Sequence, residues 1–322
     1  MGKLAMDRTE TTIVEAILKD DLARGDRALL SVAPVVSHLL DNSGPALVTD
    51  AIIACLRGML EDIAVQILQA VDPQNAQKNA SALQVDTLVE GLSDNAGLLD
   101  HLYALALEGT LTARLDRQLG IDPVLSPLLQ ELIASDHAAI AELAMKALAA
   151  QSRFVQGQRR MGLGLGELPA ELFLSTLNSA QNNTAVTAIE GSDVAFETLR
   201  KRYDEGAGRL ALFARLVLSM RGGAVAALDL EHAGLALFTS ALAGLTRQSR
   251  DVAMFSCHER QTARLALSLR AAGLDQVAIK NQFVMFGPVE RLHAAIAEIA
   301  PERAQEMLSA SHPAAIPGKV AM

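Results

Sequence analysis

The chain has only two cysteines, Cys55 and Cys257, far apart among 322 residues. This excludes a disulfide framework and any zinc or redox spacing, and it points to a reducing, cytoplasmic compartment. The opening MGKLAMDRTE lacks the apolar core of a signal peptide, and no later stretch reads as the ~18 apolar residues of a membrane span. A soluble protein without membrane insertion is expected. Basic charge is scarce too: 28 Lys and Arg against 37 Asp and Glu leave a net −9. General nucleic-acid binding depends on counterion release by a basic surface, so no nucleic-acid partner is expected. Alternating Val, Ile and Thr runs with hairpin turns are missing, which removes the competing β reading.

Half of the residues are hydrophobic, so core burial is not limiting. Apolar residues recur at spacings of three and four, the helical period, and the expected fold is all-α. Residues 46–71 show it best, with Leu47, Ile52, Leu56, Met59, Ile63, Ile67 and Val71 on one stripe between Pro45 and Asp72-Pro73. Ser81, Asp136, Ser249 and Asp275 are candidate N-caps, and Gly109, Gly120, Gly206, Gly273 and Gly287 are candidate stops. Residues 122–151 read as a proline-started helix, a polar turn at Ser135-Asp136 and a second helix, the grammar of one HEAT-type hairpin. Segments 27–41 with 46–71, and 81–92 with 95–107, are candidate earlier hairpins. A helical-repeat-like stack of such hairpins and an irregular multi-helix bundle both fit.

Two compositional shifts coincide. Residues 1–150 hold 10 Lys and Arg against 21 Asp and Glu, while residues 151–322 hold 18 against 16, and all eight Phe follow residue 150. Two modules are implied: an acidic one over 1–155 and a Phe- and Arg-bearing one over 170–308, with a Gly-rich hinge at 156–169 and a flexible tail at 309–322.

That hinge, within QSRFVQGQRRMGLGLGELP, sets Arg153, Arg159 and Arg160 before Gly162, Gly164 and Gly166. A P-loop needs a Gly-Lys-Ser/Thr ending and a dinucleotide fold needs GxGxxG after a strand, and neither is present. The arginines with flexible amides could hold an anion. A helix C-terminus with cations at the negative end of its dipole explains the same residues. Further on, Arg200, Lys201 and Arg202 form the densest basic cluster, beside Tyr203. Joined to Arg209, Arg215 and the arginines of the hinge, they would make a basic groove for an acidic protein partner; otherwise they are a solvated helix face.

Other constellations are thinner. Glu290 and His293 give one ExxH, half of a di-metal bundle set, with no second ExxH. Cys257, His258 and Glu259 are consecutive, and neighbours on a helix point about 100° apart, so they cannot form a nucleophile and base pair by themselves. No catalytic residue, metal ligand or cofactor is assigned. Residues 269–286 have the rhythm of a helix-turn-helix around Gly273, but the second helix is too apolar to read a groove; a hydrophobic seam or plain core suits it better.

The stretches SRFVQGQRRMGLGLGELPAELF and LEHAGLALFTSAL resemble a family of helical domains of unknown function from alphaproteobacterial-type genomes, whose members often carry HEAT-like repeats. The resemblance spans most of residues 120–300. It implies a bacterial cytoplasmic helical-repeat protein and assigns no functional residues. The reading that follows is a non-enzymatic scaffold or adaptor docking a protein partner through Arg153, Arg159, Arg160, Arg200, Lys201, Arg202, Tyr203 and Arg209, with homo-oligomerisation possible through the opposite charges of the modules. The alternative is a sensor whose C-terminal helices enclose a small anionic or lipid-like molecule.

Overall fold

A computed structural model describes residues 2–41, 50–73, 81–286, 296 and 299–311. Among these the fold is all-α, as expected, with no strand. The α-helices are α1 (Gly2–Leu30), α2 (Val32–Asp41), α3 (Asp50–Val71), α4 (Ala82–Ser93), α5 (Ala96–Leu119), α6 (Pro127–Ile133), α7 (Ala138–Arg159), α8 (Ala170–Gln181), α9 (Thr184–Thr187), α10 (Ser192–Arg202), α11 (Arg209–Met220), α12 (Leu230–Thr246), α13 (Arg250–Ser256), α14 (Thr262–Ala271), α15 (Gln276–Phe286) and α16 (Pro301–Ala310). Pro45, Leu47, Gly287, Glu290, His293 and residues 312–322 of the expected tail lie outside the described residues, and residues 309–310 belong to α16.

Most helix signals act as read. Ser81 forms a capping box with Gln84, satisfying two otherwise orphaned amides reciprocally. Ser249 accepts from Val252 N at 3.2 Å and Asp275 from Ala278 N at 2.8 Å. Gly120 and Gly273 take positive φ just past α5 and α14, a conformation that costs other residues a Cβ clash. Three signals act otherwise. Gly206 lies inside the 3-10 segment Glu205–Ala207, past the end of α10 at Arg202. The N-cap of α7 is His137, not Asp136. Gly109 lies inside α5, where a Cβ would come within 3.3 Å of Gln158 Oε1, so it serves close approach of another helix and ends nothing.

Two compact units are present, and they interleave along the chain instead of following one another. One combines Val32–Thr110 with Ser135–Arg215. Its core is built on the expected stripe of α3, where Ile52, Leu56, Met59, Ile63, Ile67 and Val71 are all buried, and it includes Leu88 and Leu92 of α4, Phe154 of α7, Phe173 of α8 and Phe196 of α10. The other combines Met1–Ser31, Leu111–Ala134 and Leu216–Met322. In it α12 packs on α13, α6 and α14, and α14 packs on α16 and α1. Gly234 breaks α12 with φ 70°, and a Cβ there would meet Ser126 Cβ at 3.2 Å.

This differs from the sequential modules expected. The complementary apolar faces come from helices distant in sequence, so neither 1–155 nor 170–308 contains a whole unit. The eight Phe divide between both units for the same reason. The helices of the 122–151 hairpin form, but α6 falls in one unit and α7 in the other. The segment 156–169 is not a free joint: Asp62 Oδ2 accepts from Leu163 N at 2.8 Å, and Gln66 bonds Leu163 O and Leu165 N at 2.8 Å each. Both anchors stand on α3, in the same unit as the segment itself.

Candidate functional site

The stretch after α7 begins with a Schellman closure, in which Gly162 N donates to Gly157 O at 2.9 Å. Its left-handed residue is Met161, φ 56°, although glycine follows it. The chain then turns through a short 3-10 segment, Leu165–Glu167, into α8. After α10 a second 3-10 segment, Glu205–Ala207, is nucleated by Asp204, whose Oδ1 accepts from Gly206 N at 2.9 Å. These two turns close on one open depression of about 290 Å³, lined among others by Gly164, Gly166, Glu167, Arg202, Tyr203 and Asp204. Glycines of the stretch and Arg202 of the basic cluster thus meet within one unit, whereas the sequence had joined that cluster to the arginines of the stretch.

Tyr203 forms the firm part of the wall. Its ring stacks on Phe173 with centroids 3.9 Å apart, and its hydroxyl donates to Leu168 O at 2.7 Å. Burial, helped by the negative Glu205 and Asp204, pushes its phenol up to about 12. Glu167 is tied down by accepting from Arg209 N at 2.9 Å, and Glu205 by accepting from Ala170 N at 3.1 Å. Arg202 and Lys201 are exposed, and their side chains make no hydrogen bond or ion pair among the described residues.

The other expected groove residues part company. Arg153, Arg159 and Arg160 are exposed on or just past the last turns of α7, outside the lining of the depression. Arg200 is occupied: its Nη2 donates to Gln181 Oε1 at 2.9 Å and Asn178 Oδ1 at 3.2 Å, and its Nη1 lies 3.5 Å from Glu197. It braces α10 against α8. Arg209 is corrected outright as a groove residue, because only 1 % of it is exposed. Its two Nη atoms clasp Glu108 at 2.7 and 3.0 Å, Gln151 accepts at 3.2 Å, and the guanidinium lies 3.6 Å from the Phe154 ring centroid. A guanidinium held by three hydrogen bonds over an aromatic ring inside a core offers nothing to a partner.

The Cys257-His258-Glu259 run makes no pair of nucleophile and base. The Cys257 thiol is buried and lies 3.5 Å from Ala253 O, while His258 Nδ1 accepts from Arg260 N at 3.2 Å. Burial above all holds His258 below its ordinary value. No cluster of three or more potential metal ligands occurs among the described residues. In α15, Ile279, Phe283 and Phe286 are buried whereas Val277 and Val284 face solvent, so the expected core face is there with an apolar fringe outside it. Among the described residues one run, Arg209–Leu228, is long and apolar enough on length and composition to cross a membrane, with mean hydropathy 1.5, a test that core helices of soluble proteins also pass.

Sequence reasoning missed a buried pair in the other unit, Arg264 with Asp26, 238 residues apart. No local pattern marks either member. No protein-family model matches the chain, and no curated protein or solved structure matches it either.

Proposed function

We propose that the chain acts as a helical adaptor that docks an acidic segment of a protein partner, by binding rather than by chemistry, at the depression between the Gly164–Glu167 turn and the start of the 202–208 loop. One observation carries this reading: Arg202 stands exposed and unpaired on a wall whose other charged groups are already engaged or acidic. An unneutralised cation beside a rigid, half-buried tyrosine is the combination that interface hot spots favour, with the aromatic supplying contact area and the cation orientation. The adjacent Lys201 extends the positive edge along α10. HEAT-like stacking and a cytoplasmic, bacterial setting belong to the same proposal; the sequence resemblance supports all three, joined by the hairpin grammar of residues 122–151 for the first and the scarcity of cysteine for the second.

The test is capture of partners on the full chain, comparing wild type with Lys201→Glu/Arg202→Glu and with Arg153→Glu as a control away from the depression. A stoichiometric protein retained by wild type and by the control, and lost from the double variant at unchanged helicity and melting temperature, is the expected result. Equal retention by all three would remove the depression as the docking site.

A further inference from the structure

The depression between the Gly164–Glu167 turn and the 202–208 loop is lined on one side by backbone without side chains. Leu163 and Leu165 are 2 % and 5 % exposed and anchor their segment in the core of its unit, while Gly164 and Gly166, alternating with them, are exposed and line the depression. The fold requires neither glycine. Neither takes positive φ, and Gly164, with φ −63° and ψ 132°, has a conformation open to any residue. A Cβ on Gly164 would lie an ordinary 3.8 Å from Glu167 Cγ, and one on Gly166 would meet nothing within 4 Å among the described residues. Gly208, also in the lining, is different: a Cβ there would press on Glu205 O at 3.2 Å, so its own turn accounts for it.

The amides of the segment alternate in the same way. Leu163 N and Leu165 N donate to Asp62 and Gln66 of α3, whereas Gly164 N and Gly166 N make no hydrogen bond among the described residues. One edge of the backbone is therefore occupied by the protein's own side chains and the other is left open. Glycine at a position that alanine could fill costs stability, because it frees the unfolded chain; the use that remains for it is the close approach of another backbone. Beside this bare edge stands Arg202, exposed and without an ion pair among the described residues. Tyr203 is held by Phe173 and by Leu168 O, which fixes its side of the depression.

We infer that the partner segment docked here is an extended peptide, laid backbone to backbone along Gly164–Gly166, with a residue no larger than alanine or serine against the glycines and an acidic residue next to it at Arg202. The inference rests on the docking reading above and deepens it by fixing the conformation and local sequence of what is bound. A helical partner does not suit the site: its side chains hold its backbone away from the glycines, and it spends its carbonyls on itself. An extended segment keeps carbonyls free for the Gly164 and Gly166 amides, the mode in which backbone bonds give affinity and alternate side chains give specificity. Every second side chain then turns toward the glycines, where only a small one fits, and its neighbours turn away from them. There Arg202 supplies a charge-assisted hydrogen bond to a carboxylate. Glu167 and Asp204 in the same lining repel a run of carboxylates, so a single acidic residue beside small ones is selected.

The experiment selects random peptides displayed on phage against the immobilised full chain. The enriched sequence, made as a labelled synthetic peptide, is then titrated by fluorescence anisotropy against wild type, Gly164→Ala, Gly166→Ala, Lys201→Glu/Arg202→Glu and Gly222→Ala. The last alters an equally open glycine of the other unit. The expected motif sets Gly, Ala or Ser beside one Asp or Glu. Gly164→Ala and Gly166→Ala are expected to melt at or above the wild-type temperature and to bind the peptide about tenfold more weakly, because the added methyl overpacks the contact. Lys201→Glu/Arg202→Glu is expected to lose the peptide and Gly222→Ala to bind it like wild type. A peptide lost from the charge-reversed variant but bound equally by both glycine variants would overturn the close approach and leave the docking reading standing. Equal binding by all five chains would overturn both. Enrichment of no motif, or of bulky apolar residues at helical spacing, would overturn the extended peptide, and so would glycine variants that melt well below wild type, since the fold would then account for the glycines.

Discussion

At the scale of single residues, the informative groups are arginines with opposite fates. Arg202 is exposed, Arg200 braces two helices, Arg209 is locked in a core, and Arg264 is buried against Asp26, with its Nε unpartnered among the described residues. The guanidinium of Arg209 and the carboxylate of Glu108 are each 1 % exposed, so removing either strands a charge in a low-dielectric interior. Arg209→Ala is expected to destabilise the chain by about 3–5 kcal/mol, read as a lower urea midpoint. Arg209→Met combined with Glu108→Leu is expected to recover most of that loss, because an apolar pair of similar volume has no desolvation to offset. In sequence Arg209 was indistinguishable from the solvated cations around it. Its partners Glu108, Gln151 and Phe154 sit 101, 58 and 55 positions away, and only the fold gathers them.

At the scale of elements, the helices were legible because their signals are local. A capping serine, a proline at the first turn or a glycine just past the end acts on backbone groups within four residues of itself. The stripe of α3 was legible because a 3.6-residue period needs no knowledge of what covers it. What could not be read was which glycines exist for a neighbour. Gly58 is such a residue: a Cβ there would sit 2.6 Å from Met161 Cβ and 2.7 Å from Met161 O. The close approach of α3 to the left-handed turn after α7 is possible only without a side chain. Gly58→Ala is expected to lower stability by ~1–3 kcal/mol through overpacking, measured by chemical unfolding. Gly97→Ala, whose added Cβ would meet Leu172 at an ordinary 3.4 Å, is expected to raise stability by ~0.4–1 kcal/mol by restricting the unfolded chain. The same local logic explains the misreading of 156–169. Glycines and arginines are the usual marks of a joint, whereas Asp62 and Gln66, which pin this one, stand about a hundred residues earlier.

At the scale of the whole molecule, interleaving decides how the chain can be divided. Since each unit draws on separated segments, expressing 1–155 and 156–322 as separate fragments is expected to give two polypeptides without cooperative thermal unfolding, each exposing apolar faces that the full chain buries. Circular dichroism melts of the fragments against the full chain check this; two sharp independent transitions would restore the sequential division. The sequence by itself determined the all-helical class, most helix limits and the buried stripe of α3, because periodicity and capping are short-range physics. It also brought out the Gly-rich stretch and Arg202 with Tyr203, and it joined the basic cluster to the arginines of that stretch as one groove. The tertiary structure alone decided that the glycines of the stretch, and not its arginines, meet Arg202, that Arg209 is withdrawn into a core, and that Arg264 is buried against Asp26. Each of those outcomes depends on contacts between residues tens to hundreds of positions apart, and burial and pairing of charge are properties of such contacts rather than of any stretch of chain.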